Sequence, residues 1–214
     1  MLINAKKSPK IKLCGFKDKE HIDFVCGFNI DFIGFVFYKK SPRNVDLQNI
    51  SHITKDIPAN IKKVAVIVNE TDDKIAQIIN LLKPDLLQLH GEENLERVKE
   101  IKNKFQLPII KAIGISKIQD LQNISKFEKY CQYFLFDYKD NTNNGGSGQS
   151  FDWSILDKLN INIDWFLSGG INKNNLTRAL TQTNAKMIDL SSALEEKRGQ
   201  KSKKAIKDFM RLFA

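Results

Sequence analysis

The feature that most constrains this chain is an alternation. A short apolar run is followed by a stretch of helical periodicity, and the pair recurs about eight times. Strand-like runs fall at residues 11–14, 32–37, 63–68, 86–90, 109–113, 133–137, 165–168 and 187–190. They are short, and several are rich in Ile, Val and Phe, as strands buried on both faces should be. Between them, Thr71-Asp72-Asp73 precedes Ile75, Ile78, Ile79 and Leu82, an N-cap and acidic first turn ahead of one apolar face. Leu95, Val98, Ile101 and Phe105 form a looser stripe, and Ile206, Phe209, Met210 and Phe213 share a face opposite lysines. Residues 19–28 are the least clearly periodic. Strand-then-helix units with short connections imply an all-parallel sheet. Eight of them predict a closed (β/α)₈ TIM barrel. The open doubly wound alternative usually has fewer repeats and a Gly-rich turn after strand 1, where this chain reads Cys14-Gly15-Phe16.

The 214 residues suit one domain, near the short end for such a barrel. Residues 10–214 are expected to form it, with residues 1–9 a flexible extension. The net charge of +9 would suit either nucleic acid or the steering of a small anion. The basic residues are spread along the chain and are densest at 197–207, with no aromatic platform, so a small anionic substrate is the expected partner rather than nucleic acid. The three cysteines, Cys14, Cys26 and Cys131, imply no disulfide framework, and no Cys/His spacing suggests a metal. A polar N-terminus and the absence of any long apolar segment predict a cytoplasmic protein that does not engage a membrane.

Barrel chemistry sits at the C-terminal ends of the strands. Strand 1 ends in Cys14, with Lys12 on the same face, where a cation would lower the thiol pKa toward a usable thiolate. Taken alone, Cys14 reads more readily as buried, inert packing. Strand 6 ends in Asp137 after Phe134-Leu135-Phe136, and partial burial would raise its pKa and suit it to proton donation; a helix cap is the structural alternative. Strand 2 runs into Lys40-Ser41-Pro42-Arg43, where Arg43 could hold a carboxylate through two parallel bonds. Strand 4 ends in His90-Gly91-Glu92. Three features point to phosphate: Gly145-Gly146-Ser147-Gly148 after strand 6, Ser168-Gly169-Gly170 ahead of a helix beginning near Asn172, and Ser191-Ser192 after strand 8. Each alone could be a tight turn, and their recurrence in adjoining loops is the stronger signal.

Together these segments resemble the phosphoribosylanthranilate isomerase family. The resemblance rests on Lys12-Leu13-Cys14-Gly15, Gly34 to Tyr38 with Ser41-Pro42-Arg43, Val68-Asn69-Glu70, and Leu87-Gln88-Leu89-His90-Gly91-Glu92-Glu93. It continues through Gly145-Gly146-Ser147-Gly148, Phe151-Asp152-Trp153, Leu167 to Ile171, and Asp189-Leu190-Ser191-Ser192. It implies an Amadori rearrangement in tryptophan biosynthesis that needs no metal or organic cofactor. Asp137 would be the general acid, Cys14 the general base, and Arg43 the receptor for the anthranilate carboxylate. The glycine loops would cradle phosphate, and His90 and Asp189 would line the mouth. The partners implied are a small phosphosugar and transient contacts with neighbouring pathway enzymes.

Two positions depart from the family pattern. Ala193 stands where a glycine is usual, which would weaken phosphate binding if that glycine allows a positive φ or a close approach of phosphate, and Lys17 stands where Thr is common. The rival readings are a related phosphosugar barrel, a non-catalytic RNA-binding barrel and a degenerate isomerase. A histidine-pathway isomerase would carry paired aspartates in place of Cys14 and Asp137. RNA binding leaves those two residues unexplained. The degenerate barrel has only Ala193 in its favour.

Overall fold

The computed structural model describes residues 8–138 and 151–213. Eight parallel strands close in sequence order: β1 Lys10–Cys14, β2 Phe32–Phe37, β3 Lys62–Ile67, β4 Leu86–Leu89, β5 Ile109–Ile115, β6 Tyr133–Tyr138, β7 Trp165–Leu167 and β8 Met187–Leu190. Closure is made by β1 on β8, where Lys12 lies opposite Asp189. The expected barrel and its strands are therefore present, with ends moved by one or two residues.

Alternate residues of each strand point to opposite sides, and this sorts the apolar residues into two cores. One fills the barrel, with Phe32, Tyr133 and Phe166 packed edge to face at 5.2–6.2 Å. Phe32 and Tyr133 are the first residues of β2 and β6, so these rings plug the end away from the expected site. Further along, Val64, Val66, Leu135 and Ala112 fill the lumen up to Cys14. The other core lies between Leu13, Phe35, Ile67, Leu89, Phe134 and Ile188 and the helices outside.

Six α-helices occur among the described residues: α1 Lys19–Cys26, α2 Ile50–Thr54, α3 Asp72–Leu82, α4 Leu95–Phe105, α5 Leu176–Thr183 and α6 Lys203–Met210. The weakly periodic first segment is helical because Asp18 caps it, accepting from the His21 N–H at 2.9 Å, and because Ile22 and Val25 are buried. Thr71, Asn94 and Ser202 cap α3, α4 and α6 in the same way.

Two of the expected helices take another form. After β5 the chain makes 3₁₀ turns at Ile118–Leu121 and Ile124–Phe127, and before β7 another at Trp153–Lys158. Ile118, Leu121, Ile124 and Phe127 recur every three residues, the period of a 3₁₀ helix, in which i and i+3 eclipse. α5 also starts later than expected: a turn over 172–175 precedes it, with the Asn175 N–H donating to the Asn172 carbonyl. After β8 a short antiparallel hairpin appears, β9 Glu195–Lys197 and β10 Gln200–Lys201, turning at Gly199 with φ +81°. No helix among the described residues is long and apolar enough to cross a membrane.

Candidate active site

The mouth is built from the strand ends. On β1, Lys12 is fully buried and donates to Asp189 Oδ1 of β8 at 2.8 Å. The second oxygen of Asp189 accepts from the Ser168 hydroxyl at 3.4 Å. Burial alone would strip the Lys12 charge, but Asp189 and Cys14 outweigh it and hold the ammonium above its ordinary value. Cys14 is buried beside it. Gly34 makes room for the sulfur, since a β-carbon there would lie 2.6 Å from Sγ.

The thiol pKa corrects the expectation from sequence. Burial pushes the Cys14 thiol up; Lys12 and Lys201 pull it down, Asp189 opposes them, and the net direction is upward. Lys12 limits the rise rather than producing a depressed thiolate. Removing it should drive the titration further into the alkaline range. Lys12→Gln is the cleaner variant, because an apolar residue would leave a buried carboxylate unpaired at a cost of about 3–5 kcal/mol. Alkylation of Cys14 followed against pH should show this upward displacement, and an unmoved curve would remove Lys12 from the tuning of the thiol.

Asp137 stands three strands from Cys14 around the ring, at the end of β6. Its Oδ1 accepts from the Tyr138 N–H at 2.8 Å, and Oδ2 lies 3.5 Å from His90 Nε2. The other ring nitrogen of His90 meets the Gln88 amide nitrogen at 2.8 Å. If that amide donates to Nδ1, the proton of a neutral imidazole sits on Nε2, facing Asp137. Gly169, with φ +80°, packs against this carboxylate: a β-carbon there would lie 2.6 Å from the Tyr138 N and 3.1 Å from Asp137 Oδ1. Its glycine is thus required by the acid as well as by the turn. Behind His90, Glu93 accepts from the N–H groups of Gly91 and Asn69 and from Lys111 Nζ at 2.8 Å. That buried pair fixes the loop after β4.

Arg43 lies across Gly15, which needs both its φ of +86° and its missing side chain, because a β-carbon would fall 2.7 Å from the Arg43 Cδ. The guanidinium donates through Nε to Glu195 Oε1 at 2.7 Å and through Nη2 to Glu195 Oε2 at 2.8 Å. Glu195 also accepts from Lys201 Nζ at 2.9 Å and from the Gly199 N–H at 3.0 Å. Lys201 reaches the Ser191 carbonyl at 2.9 Å, and Lys17 the Pro42 carbonyl at 3.2 Å. The loops after β1, β2 and β8 are thereby tied together beside Cys14.

The sequence-predicted residues Cys14, Asp137, Arg43, His90, Ser168, Gly169, Gly170, Asp189, Ser191 and Ser192 all fall at this end of the barrel. Gly145, Gly146, Ser147 and Gly148 lie outside the described residues. Gly169 and Gly170 have φ of +80° and +67°, and the Gly170 carbonyl accepts from the side chains of Asn172 and Asn175. The Ser168 hydroxyl serves Asp189, and the Ser191 hydroxyl donates to the Cys14 carbonyl at 3.2 Å. Ala193 sits in a 3₁₀ turn, Ser192–Leu194, and is absent from the positive-φ residues, so no glycine conformation is lost there. Sequence reasoning gave Gln88 and Glu93 no role beyond the matched motif, and passed over Lys111, Glu195 and Lys201. The last two carried one signal, the Gly199 turn inside a charged stretch, which marks a hairpin.

Comparison with known proteins covers the same span. The sequence profile of the family described as N-(5'-phosphoribosyl)anthranilate (PRA) isomerase matches residues 11–211. The chain is 40% identical to N-(5'-phosphoribosyl)anthranilate isomerase of Rhizobium rhizogenes, over 94% of this chain and 92% of that one. It is 41% identical to the Rhizobium etli protein of the same name, with the same coverage. Among solved structures, phosphoribosyl anthranilate isomerase from Thermotoga maritima superposes with a TM-score of 0.84 at 30% identity, covering 95% of this chain and 98% of that one. A phosphoribosyl anthranilate isomerase in complex with reduced 1-(o-carboxyphenylamino)-1-deoxyribulose 5-phosphate gives a TM-score of 0.80 at 29% identity, covering 95% and 97%.

Proposed function

The chain belongs to the N-(5'-phosphoribosyl)anthranilate isomerase family, and from that premise we propose how its own residues divide the reaction. The enzyme acts in tryptophan biosynthesis. It converts N-(5-phosphoribosyl)anthranilate to 1-(2-carboxyphenylamino)-1-deoxyribulose 5-phosphate by an Amadori rearrangement.

Asp137 protonates the ribose ring oxygen, and the ring opens to an iminium at C1. Cys14, as the thiolate, takes the proton from C2. The C2–H electrons form the C1–C2 double bond and the iminium is neutralised at nitrogen, giving an enolamine that tautomerises to the ketone. The observation that supports this assignment is a carboxyl group and a thiol at one barrel mouth, on β6 and β1. The upward shift of the Cys14 thiol makes the thiolate a stronger base but a scarcer one, with Lys12 as its counter-charge. His90 orients the Asp137 carboxylate. Backbone amides around Gly169, Gly170 and Ser192 hold the phosphate. Arg43 receives the anthranilate carboxylate through the guanidinium edge that Glu195 does not occupy. We place the reaction in the cytoplasm, where the thiol of Cys14 stays reduced.

The test is turnover of N-(5-phosphoribosyl)anthranilate, generated in situ and followed by loss of its fluorescence. Wild-type protein should consume it, and a folded protein that leaves the signal unchanged would overturn the reading. Arg43→Ala should raise KM by about tenfold or more with a smaller effect on kcat, because a charge-assisted carboxylate contact made in ground and transition states alike is lost. An unchanged KM would take the carboxylate away from Arg43.

A further inference from the structure

We propose that Glu195 is a positioning residue: from the hairpin after β8 it aims Arg43 at the carboxylate of the substrate. The inference rests on the carboxylate reading of Arg43 and adds a residue to it.

Glu195 is one carboxylate shared by two buried side chains, Arg43 and Lys201, at 2.7–2.9 Å. The cluster sets two basic groups against one carboxylate, shielded from water, and burial pulls Lys201 below its ordinary value while the guanidinium of Arg43 stays charged. A buried guanidinium that shares its one carboxylate with a second basic group is under-compensated, and this favours a further anion on it. Burial would raise the Glu195 carboxyl, but Arg43, Lys201 and the Gly199 N–H together hold it below its ordinary value, so it is ionised.

Geometry then says where that anion goes. Glu195 uses both of its oxygens on Nε and Nη2, the fork on one side of the guanidinium. This fixes the plane of the group and leaves the Nη1 side for a ligand. Glu195 is held in turn by Lys201 and by Gly199, where a β-carbon would lie 2.6 Å from the Pro42 carbonyl. The hairpin thus packs on the loop that carries Arg43. Lys201 itself is anchored on the Ser191 carbonyl, over the Phe16 ring at 5.3 Å.

Positioning and simple charge predict opposite signs for one variant, which makes the test decisive. Glu195→Gln removes the negative charge beside Arg43, so electrostatics alone would tighten binding of a carboxylate. If Glu195 aims Arg43, binding weakens instead. The probes are two inhibitors, reduced 1-(o-carboxyphenylamino)-1-deoxyribulose 5-phosphate and the same compound lacking the ring carboxylate. Glu195→Gln should weaken the first by about tenfold, the worth of one charge-assisted contact, and leave the second within about twofold. Glu195→Asp keeps the charge but shortens the reach by one methylene, and should move the ratio in the same direction. Placed on Arg43→Ala, neither change should alter the ratio further.

Equal loss for both inhibitors, or tighter binding of the carboxylate compound, would overturn the proposal. If Arg43→Ala abolishes the discrimination while both Glu195 variants keep it, positioning fails and the carboxylate reading stands. If Arg43→Ala leaves the discrimination intact, both fall together.

Discussion

Asp137→Asn should lower kcat by about two to four orders of magnitude, the usual span of a general acid. The substitution keeps the shape of the side chain. Its amide oxygen can still accept from the Tyr138 N–H, now made at 2.8 Å by Oδ1, and Gly169 still finds the same volume beside it. What is lost is the proton for the ribose ring oxygen. The expected signature is a large fall in kcat with a modest change in KM, in a protein whose thermal unfolding matches wild type. Because ring opening comes first, no exchange of the C2 hydrogen with D₂O should be seen. Retention of kcat within about tenfold would mean that another group donates the proton.

Cys14→Ser should cost a similar factor of about 10²–10⁴ in kcat, for a different reason. A hydroxyl ionises far less readily than a thiol, and the environment that pushes the thiol up would penalise an alkoxide more. Serine fits the space, because Gly34 already leaves room for the larger sulfur. The step lost is removal of the C2 proton. With Asp137 in its proposed role the ring still opens, so substrate incubated with this variant in D₂O should retain its C2 hydrogen while the open-chain form accumulates. Near-normal turnover would return Cys14 to the role of buried packing and leave the base to be found elsewhere at the mouth.

How far the sequence reached is clearest at individual residues. Cys14 and Asp137 stand out as candidates in the sequence because each ends an apolar run, and a strand end is local information. The helix before β2 is weakly marked in sequence, since α1 is short and fully buries only Ile22 and Val25. The segments after β5 and β6 follow a three-residue apolar spacing that gave 3₁₀ turns in place of α-helix. At Ala193 the backbone needs no positive φ, so the missing glycine is not a missing conformation.

The covalent chain by itself determined the order of the strands, the faces that are buried and the residues delivered to the mouth. Side-chain alternation and apolar spacing are properties of neighbours in sequence. Only the tertiary structure decided what those residues meet. Lys12 and Asp189 are 177 positions apart, and Arg43 and Glu195 152, until closure of β1 on β8 brings them together. The direction of the Cys14 shift belongs to the same class. Desolvation and the sum of nearby charges act through space, so no spacing along the chain could show that burial outweighs Lys12.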